Sequence, residues 1–166
     1  MTQSNLDRMI HLAEDVFATR NDPEQISVTE EVMARLRRIH PATLCELDDG
    51  SGPVAWVLLI PTTTTLMRQF ISKQLTESEL LRKTPIPGTY EAIYLCSALV
   101  LPEHRGRGVA KSLACEAISE IRKKHAINSL FFWAFSPGGA KLATSIAEEM
   151  KLPILSRVGG IRQTGA

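Results

Sequence analysis

Cysteine is scarce in this chain: Cys45, Cys96 and Cys115 are the three present in 166 residues, and none belongs to a C-x-x-C pair. That spacing excludes a disulfide framework and a zinc knuckle built on paired thiols. Four scattered histidines do not change this, so no metal site is expected. An excess of one charge is also lacking, with 19 Lys and Arg against 18 Asp and Glu. A net charge of +1 creates no broad field for nucleic acid or an anionic membrane, and any basic function has to be local. The longest purely apolar run, VAWVLLI at 54–60, is far short of the roughly 20 residues a membrane helix needs. The opening MTQSNLDRMIHLAEDVF mixes acids into its apolar positions and lacks the basic, apolar, small-residue order of a secretory leader, so a cytoplasmic location is expected.

What is present suits a folded core. The chain is 44% hydrophobic and 22% charged, and its length fits one domain over residues 1–166. Residues 5–19 place Leu6, Met9, Ile10, Ala13, Val16 and Phe17 on one face of a helix. SVTEEVMARLRRIH repeats the pattern with Val32, Leu36 and Ile39, with Thr29 as its N-cap and Pro41 as its stop. Two short β-type runs, 42–48 and 53–60, flank the hairpin composition DGSG. The spacing of Leu66, Phe70, Ile71 and Leu75 predicts one helix in TTTTLMRQFISKQLTESELLRK, capped by a threonine.

After the TPIPGT break, YEAIYLCSALVL at 90–101 reads as a strand buried on both faces. A strong amphipathic helix follows over 109–124, then a buried strand LFFWAF at 130–135. Ser136 and Pro137 then sit at the cap and first position of a last helix, and a short strand at 153–157 ends the pattern. The order is ααββα, then βαβα and a final β.

The stretch ALVLPEHRGRGVA, 98–110, joins the first buried strand to its helix. A helix start of this kind presents free N–H groups and about half a positive charge, a ready anion site. Gly106 and Gly108 let the chain take left-handed conformations and let an oxyanion approach the main chain. The spacing is not that of a P-loop, and Lys111 occupies the last glycine position of a G-x-G-x-x-G. A dinucleotide site would also need an acid about twenty residues on, where AINSLFF has none.

The segment resembles the GNAT superfamily of acyl-CoA-dependent N-acetyltransferases. Arg105, Gly108 and Ala110 meet the Q/R-x-x-G-x-G/A signature, and LVLPEHRG is similar to the family's V-x-P-x-x-R-G strand exit. The resemblance covers roughly 42–157. It implies an α/β (α+β) fold with a mixed, mostly antiparallel sheet flanked by helices, splayed between two central parallel strands. It further implies that the backbone of Gly106, Arg107, Gly108, Val109, Ala110 and Lys111, with Arg105 beside them, holds the pyrophosphate of acetyl-CoA. Ala98, Leu99 and Val100 would pair with the pantetheine arm, and Ser136 lies on the second wall of the slot.

By the same resemblance the reaction is direct attack of an amine on the thioester, with both ligands bound and the Val100 N–H polarising the carbonyl. The chain departs from the family where many members carry a late-helix tyrosine: Ala147 stands there, and Lys151 and Leu152 replace a Gly-Phe turn. Glu91 and Tyr94 on the central strand are the leading acid and base candidates. Cys96, Ser97, His104, Thr144 and Ser145 are further ones. Cys96 could carry the acyl group only with a base in hydrogen-bond reach. The expected partner is a primary amine of unidentified structure, with no nucleic acid or membrane, and self-association as a homodimer is left open. A non-catalytic acyl-CoA-binding module is the rival reading.

Overall fold

The computed structural model describes residues 3–20, 29–133 and 137–157, with the side chains of 16–20 excepted. Eleven helices and strands follow in chain order: α1 (Asn5–Arg20), α2 (Glu30–Ile39), β1 (Leu44–Asp48), β2 (Pro53–Thr62), α3 (Thr64–Ile71), α4 (Glu77–Lys83), β3 (Ala92–Val100), α5 (Val109–Arg122), β4 (Ser129–Trp133), α6 (Pro137–Met150) and β5 (Ile154–Arg157). The strands form one sheet in the order β1-β2-β3-β4-β5. Its β1–β2 and β2–β3 pairs are antiparallel, and β3–β4 and β4–β5 are parallel. This is a mixed five-stranded sheet flanked by helices, as the resemblance implied.

Most elements begin where local chemistry says they should. The Thr29 hydroxyl accepts from Val32 N–H at 3.1 Å and starts α2. Thr63 accepts from Leu66 N–H at 3.2 Å and starts α3. Before β1, Pro41–Thr43 forms a short 3₁₀ turn, so that strand begins later than the apolar pattern suggests.

One expectation is corrected: residues 62–83 do not form a single helix. α3 stops at Ile71, Lys73 takes φ 67°, and Thr76 opens α4. The Thr76 hydroxyl accepts from Glu79 N–H, and the Glu79 carboxylate accepts from Thr76 N–H, each at 3.0 Å. This reciprocal capping box satisfies two orphan donors at once and outweighs continued helical periodicity. At the other end of α4, Arg35 donates from Nε to Leu81 O at 3.0 Å and from NH2 to Arg82 O and Thr84 O at 2.6 and 2.8 Å. The C-terminal end of α4 is thereby fixed to α2.

The main core packs helices α2–α6 against the sheet, with Phe70, Tyr94, Phe131 and Ile118 fully buried in it. Phe70 meets Tyr94, Phe131 and Trp133 at ring-centroid distances of 4.9, 5.8 and 6.1 Å. Such contacts each add about 1 kcal/mol beyond area burial. A smaller cluster, Met9, Val54, Leu99 and Leu101, seats α1 across the ends of β2 and β3. Among the described residues, no helix is long and apolar enough to cross a membrane.

Candidate active site

The site is built on the part of β3 that β4 leaves. The β3–β4 register runs from Ala92↔Ser129 to Leu95↔Phe132, whereas β3 continues to Val100. Beyond Leu95 the two parallel strands splay, and a slot of about 570 Å³ opens between them. Leu95, Cys96, Ser97 and Ala98 line it from β3, and Phe132 and Trp133 from β4. Small residues widen it further: Ala110 and Ala114 on α5, and Gly138, Gly139 and Ala143 on α6.

Backbone direction along β3 decides what that open edge offers. Leu101 N–H donates to Val54 O at 2.9 Å, so its peptide groups face β2. Alternate residues of a strand point their N–H and C=O groups to opposite edges. Leu99 therefore also serves the β2 ladder, while Ala98 presents both groups to the slot and Val100 its N–H, the Val100 carbonyl being taken by Arg105. A ligand strand would pair with residues 98 and 100, and Leu99 contributes its side chain to the cluster under α1 instead.

A bulge marks the inner end of the slot. β2 pairs Leu58 with Ser97 but Leu59 with Leu95, which leaves Cys96 as the extra residue on β3. Cys96 and Ser97 interrupt the alternation there, and both line the slot.

The outer end is the loop ending in α5. Gly106 and Gly108 have φ values of 77° and 72°, and a Cβ at either would meet nothing within 4 Å. Left-handed backbone facing open space is the conformation that lets an anion reach main-chain N–H groups. The first α5 bond runs from Ser112 N–H to Gly108 O at 2.9 Å, so the N–H groups of Val109, Ala110 and Lys111 have no intrahelical acceptor. The Lys111 ammonium lies 3.5 Å from Glu149 and bridges α5 to α6. Arg107 is exposed. Arg105 donates from Nε to Val100 O at 2.9 Å and lines the slot with its stem.

The proposed proton-transfer residues separate widely. Glu91 accepts from Thr64 N–H at 3.0 Å, which caps α3 at the end of β3 opposite the bulge, about 15–20 Å along the strand from residues 96–97. Its carboxylate is thus engaged away from the slot. Tyr94 is fully buried and donates its hydroxyl to Glu77 Oε2 at 2.5 Å. Cys96 Sγ lies 3.8 Å from the same oxygen. Glu77, at the first position of α4 and 2% exposed, was not visible as a site residue in the sequence, where it falls inside the single helix expected over TTTTLMRQFISKQLTESELLRK. Beside it, Arg157 donates to Leu75 O at 3.1 Å, with its guanidinium 4.7 Å from the Phe70 ring and 4.3 Å from the Trp133 ring.

His104 is drawn to Asp49 at 3.8 Å, away from the slot. Thr144 returns its hydroxyl to Ala140 O on α6 at 3.0 Å. Ala147 is buried in the core, and Lys151 adopts φ 56°, the left-handed position a glycine would fill. Ser136 lies outside the described residues. Among the described residues no group of three His, Cys, Asp or Glu could hold a metal ion.

Two solved structures share the fold at low identity, and a third aligns more weakly. An aminoglycoside acetyltransferase from an uncultured soil metagenomic sample aligns at TM-score 0.52 and 13% identity, covering 94% of this chain and 85% of that one. A protein from Agrobacterium tumefaciens str. C58 aligns at TM-score 0.51 and 16% identity, covering 98% and 96%. A ribosomal-protein-alanine N-acetyltransferase from Brucella melitensis biovar Abortus 2308 aligns at TM-score 0.41 and 15% identity over 70% of this chain, which spans 66% of that relative's length. No curated protein sequence matches. The model of the Acetyltransferase (GNAT) family matches residues 7–141, and the chain belongs to that family.

Proposed function

We propose that the protein transfers an acetyl group from acetyl-CoA to a primary amine, with both bound at once. The observation that carries this reading is the continuity of one surface: the open edge of β3 at Ala98 and Val100 leads directly to the left-handed glycines and free N–H groups that begin α5. The residues present fit the cofactor. The N–H groups from Gly106 to Lys111 would hold the pyrophosphate, with the α5 dipole adding to their effect. Ala98 and Val100 would take the pantetheine amides as a strand takes its neighbour.

Bound acetyl-CoA supplies an activated acetyl thioester. The chain's contribution is to place the acceptor against it, which can account for roughly 7–11 kcal/mol of the barrier. The slot-lining Ala98 N–H, nearer the inner end than that of Val100, would polarise the carbonyl, a donor of the kind worth about 10²- to 10³-fold in rate. Glu77 and Tyr94 support a proton-handling role at the inner end better than Glu91 does, because Glu91 caps a helix elsewhere.

Ala147 in place of the late tyrosine favours a second reading, a non-catalytic acyl-CoA-binding module. Calorimetry with acetyl-CoA tests the pocket, and thiol release against a panel of polyamines, aminoglycosides, free lysine and peptide N-termini separates the two. Binding with amine-dependent thiol release supports the enzyme; binding without release from any amine supports the module.

A further inference from the structure

We infer that Cys96 is an internal acyl acceptor: its thiol takes the acetyl group from an acetyl thioester in the slot, with Glu77 receiving the thiol proton. The inference rests on the acetyl-CoA reading of the slot and adds a covalent site on the protein itself.

Three observations converge on this residue. Cys96 is the bulge residue of β3 and lines the slot at the end away from the α5 N-terminus. An extended arm anchored at that N-terminus and running past Val100 and Ala98 arrives beside Cys96. Its sulfur lies 3.8 Å from Glu77 Oε2, which supplies the base that nucleophilic use of a cysteine requires. The Tyr94 hydroxyl donates to the same oxygen at 2.5 Å and orients it beside the thiol, in a site where Glu77 is 2% exposed.

The other thiols lack this arrangement. Cys45 donates to Ala42 O at 3.2 Å, Cys115 is half-buried on α5, and neither lines the slot.

The exchange balances without an oxidant or reductant. A bond forms between Cys96 Sγ and the acetyl carbon as the bond from that carbon to the CoA sulfur breaks. The Cys96 proton passes to Glu77 Oε2 and then to the departing sulfur, which leaves as free thiol. One thioester replaces another, so the step runs in both directions and free CoA reverses it. An amine in position competes for the same acetyl group, and with no amine present the thiol receives it.

The test uses the full chain with acetyl-CoA and no amine, followed by peptide mass mapping and a calorimetric titration of the same preparation. One acetyl group is expected on the Cys96 peptide, removed by neutral hydroxylamine as a thioester is. It should be absent in Cys96→Ala, unchanged in Cys115→Ala, and formed at least about 10²-fold more slowly in Glu77→Gln. Should Glu77→Gln fail to fold, iodoacetamide labelling of the wild type serves instead. Pre-incubation with acetyl-CoA and removal of free ligand should leave Cys96 resistant until hydroxylamine restores it. Binding of acetyl-CoA with Cys96 unmodified, or with acetyl only on lysines, Cys45 or Cys115, overturns the inference and leaves the cofactor reading standing. Absence of binding overturns both.

Discussion

Arg105 turns its Nε back onto the carbonyl of Val100, 2.9 Å away. The first arginine of RGRG therefore closes the loop between β3 and α5, and Arg107 stands exposed beyond it. The proposed anion site would be made of main chain, with the arginines shaping and surrounding it.

Arg105→Ala should loosen that loop. A charge-assisted hydrogen bond at an exposed position contributes about 1 kcal/mol, so acetyl-CoA affinity is expected to fall about 5- to 10-fold. Arg107→Ala should stay within about threefold, the loss of one solvated charge. Parallel calorimetric titrations separate the two variants.

Gly108→Ala isolates backbone conformation from steric overlap, because a Cβ there meets nothing within 4 Å while φ is 72°. Left-handed backbone costs a non-glycine residue about 1–2 kcal/mol. The unfolding free energy from a urea titration should drop by that amount, and acetyl-CoA affinity should fall as well, since the new methyl stands where an oxyanion approaches.

Lys151→Gly should act in the opposite sense. Lys151 ends α6 at φ 56°, with Leu152 N–H donating to Ala147 O at 3.0 Å, a left-handed helix stop that glycine occupies without strain. A gain of about 0.5–1 kcal/mol in unfolding free energy is expected from the same urea measurement.

His40 should make stability fall in mild acid. Burial, followed by the nearby His125 and Lys124, holds its pKa below the usual histidine value, with Glu120 opposing. Its Nδ1 also accepts from Ala42 N–H at 3.0 Å, which an imidazolium cannot do. The folded state then binds fewer protons than the unfolded chain, so this contribution is present above the ordinary histidine range and is lost as pH falls through the lowered pKa. Melting temperature should decline between about pH 7 and 5. His40→Asn, which keeps an acceptor without a titrating group, should flatten that decline.

Much of this was legible because periodicity and punctuation agreed. The apolar run 90–101, the glycines at 106 and 108 and the stripe from Ala110 to Ile121 specify strand, loop and helix together. What the sequence hid depends on pairing across space. The Thr76-x-x-Glu79 capping box was present in the letters, yet the apolar spacing from Leu66 to Leu75 pointed to an uninterrupted helix. The bulge at Cys96 is a register property of β2 against β3 and leaves no mark in either strand alone. Glu77 meets its buried partner Tyr94 across 17 positions of sequence, a contact made by the packing of α4 on β3. Glu91 shows the converse, a carboxylate immediately ahead of β3 whose partner is a helix N-terminus.

The backbone cradle is tested most directly by titrating acetyl-CoA into the wild type and Gly108→Glu, with circular dichroism confirming that both are folded. The wild type should bind one equivalent, and the glutamate, which brings bulk and negative charge into the anion site, should abolish the heat of binding. No heat from the wild type, or equal affinity in a folded Gly108→Glu, would contradict the assignment of this loop to the cofactor.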